Sequence, residues 1–210
     1  MKIQNVECFP LKITPAQAYL GGSAEGHASD YYYRPEYRCV YSRKMETCLV
    51  KITTEEGCVG WGEALAPVVP QVIAELITQL FAPLLQGQSP FASGVLNSRM
   101  YDAMRDRGHI TGYHIDALAA VDIALWDLKG KLLGLPVWQL LGGAYRDTIP
   151  CYVSGLPEPD LPARCALAKR WQEKGFNAVK LALGYGVRED IANVRAIRET
   201  LGAEAQIFLD

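Results

Sequence analysis

The chain has 210 residues, of which 50% are hydrophobic and 21% charged, and its formal net charge at pH 7 is −2. This balance is typical of a globular protein, and it gives no electrostatic reason to expect a nucleic acid or an anionic membrane as partner. The first residues lack the apolar segment of a signal peptide, and no run approaches the roughly 18 apolar residues of a membrane span. Because the six cysteines include no C-x-x-C pair and no zinc-like cluster, we expect reduced thiols and a cytoplasmic location.

The first third of the chain predicts a small antiparallel sheet that is interrupted by a loop. Residues 2–14, 48–52 and 58–64 read as strands, with apolar and polar side chains alternating most clearly in the second. Residues 15–37 are rich in glycine and tyrosine and contain prolines, so we predict a loop there. A long loop in a compact domain is usually functional or disordered. This one suits a lid over a polar ligand, and a surface loop without a ligand is the alternative.

Helices follow the sheet. Apolar residues recur at helical spacing over residues 71–85, 91–105 and 114–133. The third segment carries one continuous apolar stripe. Gly134 can end this helix, and Pro136 prevents its continuation.

After residue 146 strands and helices alternate. We predict strands over residues 148–153, 176–183 and 205–210, and helices over 161–174 and 187–201. Such repeats indicate a parallel sheet, either doubly wound or of the (β/α)8 type. A full barrel needs about 250 residues. We therefore predict two domains, residues 1–146 and an incomplete second domain over residues 147–210.

Two of these strands carry a charged residue near the carboxyl end, Lys180 and Asp210. Folds of the α/β class place their chemistry at the C-terminal ends of parallel strands. We therefore expect both residues to belong to a site.

Three motifs precede the repeats: G-W-G-E at 60–63, V-D-I-A-L-W-D-L-K-G-K at 121–131 and L-L-G-G at 140–143. In this order, before βα repeats that carry Lys180 and Asp210, they resemble the mandelate racemase and muconate lactonizing branch of the enolase superfamily. The resemblance covers nearly the whole chain. It implies an α+β capping domain over the C-terminal mouth of a modified TIM barrel, which here is truncated after its third strand.

The resemblance also implies the chemistry. Members bind Mg²⁺ through acidic residues at the ends of the third, fourth and fifth barrel strands, and they carry acid/base groups on the second, sixth and seventh. They remove the proton α to a carboxylate, and the metal stabilises the enediolate that results. By this resemblance the substrate is a small carboxylate and the protein is a symmetric homo-oligomer.

Matched position by position, Asp210 is the first metal ligand and Lys180 is the first lysine of the family's Lys-x-Lys motif. Ala182 stands where the second lysine, usually the base, is expected. Residues i and i+2 of a strand face the same side, so a methyl group replaces a proton-transfer group there. Racemisation needs a base on each face and is disfavoured, whereas reactions with one base remain open.

Residues 19–33 and 64–69 match the two capping loops that select substrate in this family. The candidates for binding substrate hydroxyls or a distal carboxylate are Tyr19, His27, Tyr32 and Arg34. Because a long polar loop suits a polyol, we expect a sugar acid as substrate.

The favoured function is a Mg²⁺-dependent acid-sugar dehydratase, which is a lyase. A sugar-acid lactone cycloisomerase or an epimerase shares the enolate step and is the nearest alternative. The alternative of another class is a truncated or non-catalytic relative, because the sequence holds only the first metal ligand and lacks the second lysine. The 210-residue chain alone is expected to be inactive.

Overall fold

The computed structural model describes residues 1–15, 29–35 and 37–210. Residues 1–14 with 44–145 form one compact unit, and the described part of 15–43 with 146–210 forms a second. The domain boundary after residue 146 stays a prediction, and the hairpin region predicted as part of the first domain groups with the second unit. The strands are β1 (Ile3–Ile13), β2 (Tyr31–Arg34), β3 (Cys39–Ser42), β4 (Met45–Thr54), β5 (Val59–Ala64), β6 (Val153–Ser154), β7 (Ala178–Leu181) and β8 (Gln206–Leu209). The α-helices are α1 (Pro70–Leu76), α2 (Ala82–Leu85), α3 (Ser93–Arg105), α4 (Tyr113–Leu133), α5 (Val137–Leu140), α6 (Leu161–Glu173) and α7 (Val187–Leu201).

The first unit is built on an antiparallel sheet in the order β1-β4-β5, which confirms the predicted three strands. Alternate residues of β4 are buried, and the side chains of Cys48, Val50 and Ile52 are fully enclosed. One face of the sheet therefore packs against the helices, as an antiparallel sheet with a single covered face does.

The helices of this unit follow the predicted segments with local differences. A π-helical turn, Ile77–Phe81, lies between α1 and α2, where one uninterrupted helix was predicted. A short 3₁₀ turn, Pro90–Ala92, precedes α3. Within the described ranges, no helix combines the length and the apolar character that crossing a bilayer requires.

Helix α4 approaches β5 so closely that two strand positions admit only glycine. A Cβ atom added at Gly60 would lie 2.2 Å from the carbonyl oxygen of Ala124, and one at Gly62 would lie 2.0 Å from that of Ala120. Both distances are far below van der Waals contact. The G-W-G-E motif and the long helix motif are therefore the two sides of one helix–strand contact.

Asp127 adds a polar connection to this contact. Its carboxylate accepts a hydrogen bond from the main-chain N–H of Trp61 at 2.7 Å and another from the Lys131 ammonium at 2.7 Å. Lys131 also donates to the Val59 carbonyl oxygen at 3.0 Å. These charged residues of the α4 motif hold β5 in place within the first unit.

The segment predicted as a loop over residues 15–37 contains a strand. β2 and β3 form an antiparallel hairpin with Tyr32 opposite Tyr41. Pro35 lies in the turn, where its carbonyl oxygen accepts a hydrogen bond from the Arg38 N–H at 3.3 Å. The loop prediction is therefore wrong for residues 31–34, because the proline ends a strand and does not interrupt an irregular segment.

The second unit carries a parallel sheet in the order β6-β7-β8, which confirms the predicted alternation of strands and helices. Its core includes Ala168 from α6, Val179 from β7 and Ile197 from α7. Helix α7 has the predicted bounds. The strand predicted over residues 148–153 is wrong in most of its length, since β6 has two residues and Ile149 is 79% exposed.

Candidate active site

Lys180 and Asp210 form an ion pair at the carboxyl ends of β7 and β8. In the parallel register Leu181 lies opposite Leu209, and Asp210 follows directly. The Asp210 N–H donates to the Leu181 carbonyl oxygen at 3.1 Å, and the Leu183 N–H donates to the Asp210 carbonyl oxygen at 3.1 Å. These two hydrogen bonds hold the main chain of Asp210 beside β7, and the Asp210 side chain pairs with Lys180.

A cavity of about 420 Å³ opens beside this pair. Its wall includes Lys180, Ala182 and Asp210, together with Ser154 from the end of β6 and Arg34 from β2. Ser154 lies opposite Lys180 in the register of the sheet. The volume lies within the range of small-molecule sites, about 300–1,000 Å³. The cavity thus collects polar residues from the ends of three parallel strands.

The structure places one of the four loop candidates at this cavity. Arg34 lines it, whereas Tyr32 is not among its described lining residues and instead lies beneath the Arg43 guanidinium, 4.5 Å from the ring centroid. Tyr19 and His27 lie outside the described residues.

The Asp210 carboxylate fits one coordination position of Mg²⁺. It offers hard oxygen atoms, which Mg²⁺ prefers, and its side chain is 65% exposed. Across residues 1–15, 29–35 and 37–210, no three or more His, Cys, Asp and Glu side chains are grouped closely enough to hold a metal. The described residues therefore do not form a complete metal site.

Three further residues line the cavity and were not predicted: Arg164, Tyr185 and Asn193. The Arg164 guanidinium donates to the Glu158 carbonyl oxygen and to the Asn193 side-chain oxygen, both at 2.9 Å. Its central carbon lies 5.5 Å from the centroid of the Tyr185 ring. Nothing local distinguishes the two helix residues from their neighbours. Tyr185 carried a usable signal, since it is an aromatic residue between two glycines just after a strand.

Tyr185 also contacts the hairpin. The Tyr37 hydroxyl donates to the Tyr185 hydroxyl at 3.4 Å. Burial, followed by this hydrogen bond, raises the pKa of Tyr37 to about 12. Both causes favour the neutral phenol, so Tyr37 keeps its proton well above the ordinary range of tyrosine.

The family model of the mandelate racemase / muconate lactonizing enzyme N-terminal domain matches residues 36–142. Among curated proteins, the chain is 36% identical to D-galactarolactone cycloisomerase of Agrobacterium fabrum, a match that covers 77% of this chain and 43% of that protein. It is also 36% identical to D-galactonate dehydratase of Cronobacter sakazakii, with 77% and 44% covered. The chain thus spans under half the length of these two relatives.

Solved structures agree. A member of the enolase superfamily from Agrobacterium tumefaciens matches with a TM-score of 0.91 and 42% identity, covering all of this chain and 54% of that one. A mandelate racemase/muconate lactonizing protein from Paracoccus denitrificans, complexed with magnesium, matches with a TM-score of 0.72 and 35% identity, covering all of this chain and 51% of that one. The chain therefore belongs to the mandelate racemase/muconate lactonizing enzyme family of the enolase superfamily.

Proposed function

We propose that this chain forms part of an enzyme that removes the proton α to the carboxylate of a sugar acid and expels an oxygen leaving group from the β carbon. The observation that carries the proposal is the cavity at the ends of the parallel strands, where Lys180 pairs with Asp210 and Ala182 lies two residues further along. Membership of the family supports the enolisation step.

Lys180 is the residue that binds the substrate carboxylate in this proposal. Its ammonium lines the cavity and is 29% exposed, so it can reach a ligand there. Loss of the α proton adds negative charge to the substrate carboxylate, and a fixed positive charge beside it stabilises the transition state more than the ground state. Lys180 thus promotes the reaction without itself taking the proton.

Asp210 would supply one oxygen ligand to Mg²⁺. When bound, the metal adds a further positive charge that stabilises the developing negative charge of the substrate. The magnesium complex of the Paracoccus structure supports this assignment. The described residues do not group three metal-ligating side chains, which is consistent with Asp210 being one member of a larger ligand set.

Ala182 favours a reaction with one base. Its side chain is exposed at the cavity and bears no group that can accept or donate a proton. A racemase or epimerase needs acid/base groups on both faces of the α carbon. Ala182, which follows the end of β7 and lines the same cavity as Lys180, does not offer the usual second lysine. An elimination in which one group takes the α proton meets no such requirement.

The leaving oxygen separates the two favoured reactions. If it is a hydroxyl, the C–H and C–O bonds break, water leaves, and the enol becomes an α-keto acid. If it is the ring oxygen of a lactone, the same two bonds break but the ring opens and no atoms are lost. The names of the two curated relatives include one reaction of each kind.

The test is a set of hexonic and hexaric acids and their lactones, incubated with Mg²⁺ and the whole protein of which this chain is proposed to form part. We expect either an α-keto acid with loss of one water from the mass or an opened lactone of unchanged mass. Inversion at the α carbon without C–O cleavage would overturn the elimination in favour of an epimerase. No change in any acid or lactone would favour a non-catalytic relative.

A further inference from the structure

The hairpin and the loop that joins β7 to α7 are connected through two tyrosines. The rings of Tyr37 and Tyr185 meet edge to face with centroids 6.5 Å apart, in addition to the hydrogen bond between their hydroxyls. A Cβ atom added at Gly184 would lie 3.8 Å from the Tyr37 ring, so the loop backbone also lies close to this ring. Tyr185 is therefore the loop side chain against which Tyr37 packs.

Arg34 is held within the same cluster. Its guanidinium carbon lies 4.9 Å from the ring centroid of Tyr37 and 5.8 Å from that of Tyr41. A guanidinium within about 6 Å of an aromatic centroid is attracted to the ring face. Arg34 also lines the cavity of Lys180, so Tyr37 is one of the two rings that hold this positive charge at the cavity wall.

The loop that presents Tyr185 is itself fixed. The main-chain N–H groups of Gly184 and Tyr185 donate to the Asp190 carboxylate at 3.3 Å. The Tyr185 ring also contacts Arg164, whose guanidinium donates a hydrogen bond to Asn193. Asn193 is only 5% exposed, and its amide donates to a main-chain carbonyl one turn earlier in α7 at 2.9 Å. These contacts therefore hold the loop that carries Tyr185 in place.

We propose that Tyr185 is a positioning residue that docks the β2–β3 hairpin on the β7–α7 loop and so places Arg34 to bind the polar end of the sugar acid remote from its reacting carboxylate. The substrate half of this inference rests on the proposed function, and the docking half rests on geometry alone. Tyr185 acts through Arg34 and does not touch the reacting atoms. Its loss therefore weakens substrate binding more than it slows the chemical step.

The test compares Tyr185→Phe and Tyr37→Phe in the protein with Mg²⁺ present. Either substitution removes the hydrogen bond between the phenols and keeps the ring. A hydrogen bond of this kind is worth about a factor of three to ten in an equilibrium constant. We expect KM for the sugar acid to rise by about that factor and kcat to stay within about twofold, with the double variant no worse than either single one. Tyr145→Phe, at a tyrosine that is 97% exposed and is not a lining residue of the cavity, is the control and leaves KM unchanged.

A spectroscopic titration tests the docking half without substrate. In the near-ultraviolet absorbance difference between a protein with Tyr37 and its Tyr37→Phe counterpart, the pKa of Tyr37, about 12 in the intact protein, should fall toward its ordinary value when Tyr185 is phenylalanine. An unchanged titration would overturn the docking. A loss of kcat with KM unchanged would overturn the positioning role. Failure of the proposed function looks different, since no variant or parent protein would then convert any acid while the Tyr37 titration would still respond.

Discussion

The Lys180 ammonium and the Asp210 carboxylate meet across two neighbouring parallel strands, at the edge of the sheet where the cavity opens. The two side chains are 29% and 65% exposed, and a pair this accessible contributes at most about 1 kcal/mol to the free energy of unfolding. Stability alone is therefore a weak reason for two charges at this edge. Binding of a charged ligand in the cavity is a better one.

Replacing Lys180 by methionine separates these explanations. We expect Lys180→Met to change the free energy of unfolding by less than about 1 kcal/mol and to lower kcat/KM for the sugar acid by about a hundredfold or more, because a preorganised positive charge at the developing carboxylate charge is lost. Urea unfolding and steady-state kinetics measure the two effects. Lys169→Met, which removes an exposed lysine of α6, is the control and should preserve turnover. Equal turnover in both variants would remove Lys180 from the site.

Introducing the missing lysine tests the one-base interpretation. Ala182→Lys would place a second ammonium two residues from Lys180 at the wall of the same cavity, where like charges lower each other's pKa. We expect elimination to proceed no faster than in the parent protein, as measured by product formation at saturating sugar acid. If the parent protein has no turnover and the substitution restores it, Ala182 is an inactivating replacement of the second lysine and not an adaptation to a reaction with one base.

The contact between β5 and α4 predicts a large and local loss of stability. Gly62→Ala brings a Cβ atom to 2.0 Å from a main-chain oxygen of α4, so strand and helix must separate. We expect a decrease in the free energy of unfolding of about 3 kcal/mol, measured by urea unfolding. The control is Gly94→Ala on α3, where nothing lies within 4 Å of the added atom. That change should raise stability by up to about 1 kcal/mol. Similar effects at both positions would contradict the packing described.

The pKa of Tyr37 predicts an alkaline limit for the hairpin. It is raised from 10.0 in the unfolded chain to about 12 in the folded protein, so the folded state holds the phenolic proton more tightly. This contribution to stability is fully present below about pH 10 and is lost as the pH rises through about 12. The stability difference between the parent protein and Tyr37→Phe should therefore be constant at lower pH and shrink across this window in denaturant unfolding. A difference that does not depend on pH would contradict the raised pKa.

Local periodicity predicted the elements whose buried face is formed by apolar residues of their own segment. Helix α7 was predicted with its observed bounds because Val194, Ile197 and Leu201 recur at helical spacing and pack on the sheet. The β2–β3 hairpin was missed because its pairing depends on a partner strand and on contacts such as Tyr37 with Tyr185, which are 148 positions apart.

The same distinction applies to the candidate site. Lys180 and Asp210 were predicted as charges at strand ends, and the parallel register places them together. Arg164 and Asn193 were missed because their positions at the cavity follow from how helices and strands pack, and no local pattern encodes that packing.

The role proposed for the Lys180–Asp210 site is to support removal of an α proton from a sugar acid. The exchange of that proton with D₂O tests this role and can be followed by NMR. The samples are the whole protein of which this chain is proposed to form part and its Asp210→Asn variant, each with and without Mg²⁺, with Asp147→Asn as an exposed acidic control. We expect Mg²⁺-dependent exchange in the unmutated protein and in the control, and loss of exchange in Asp210→Asn. Exchange that continues unchanged in Asp210→Asn would contradict it.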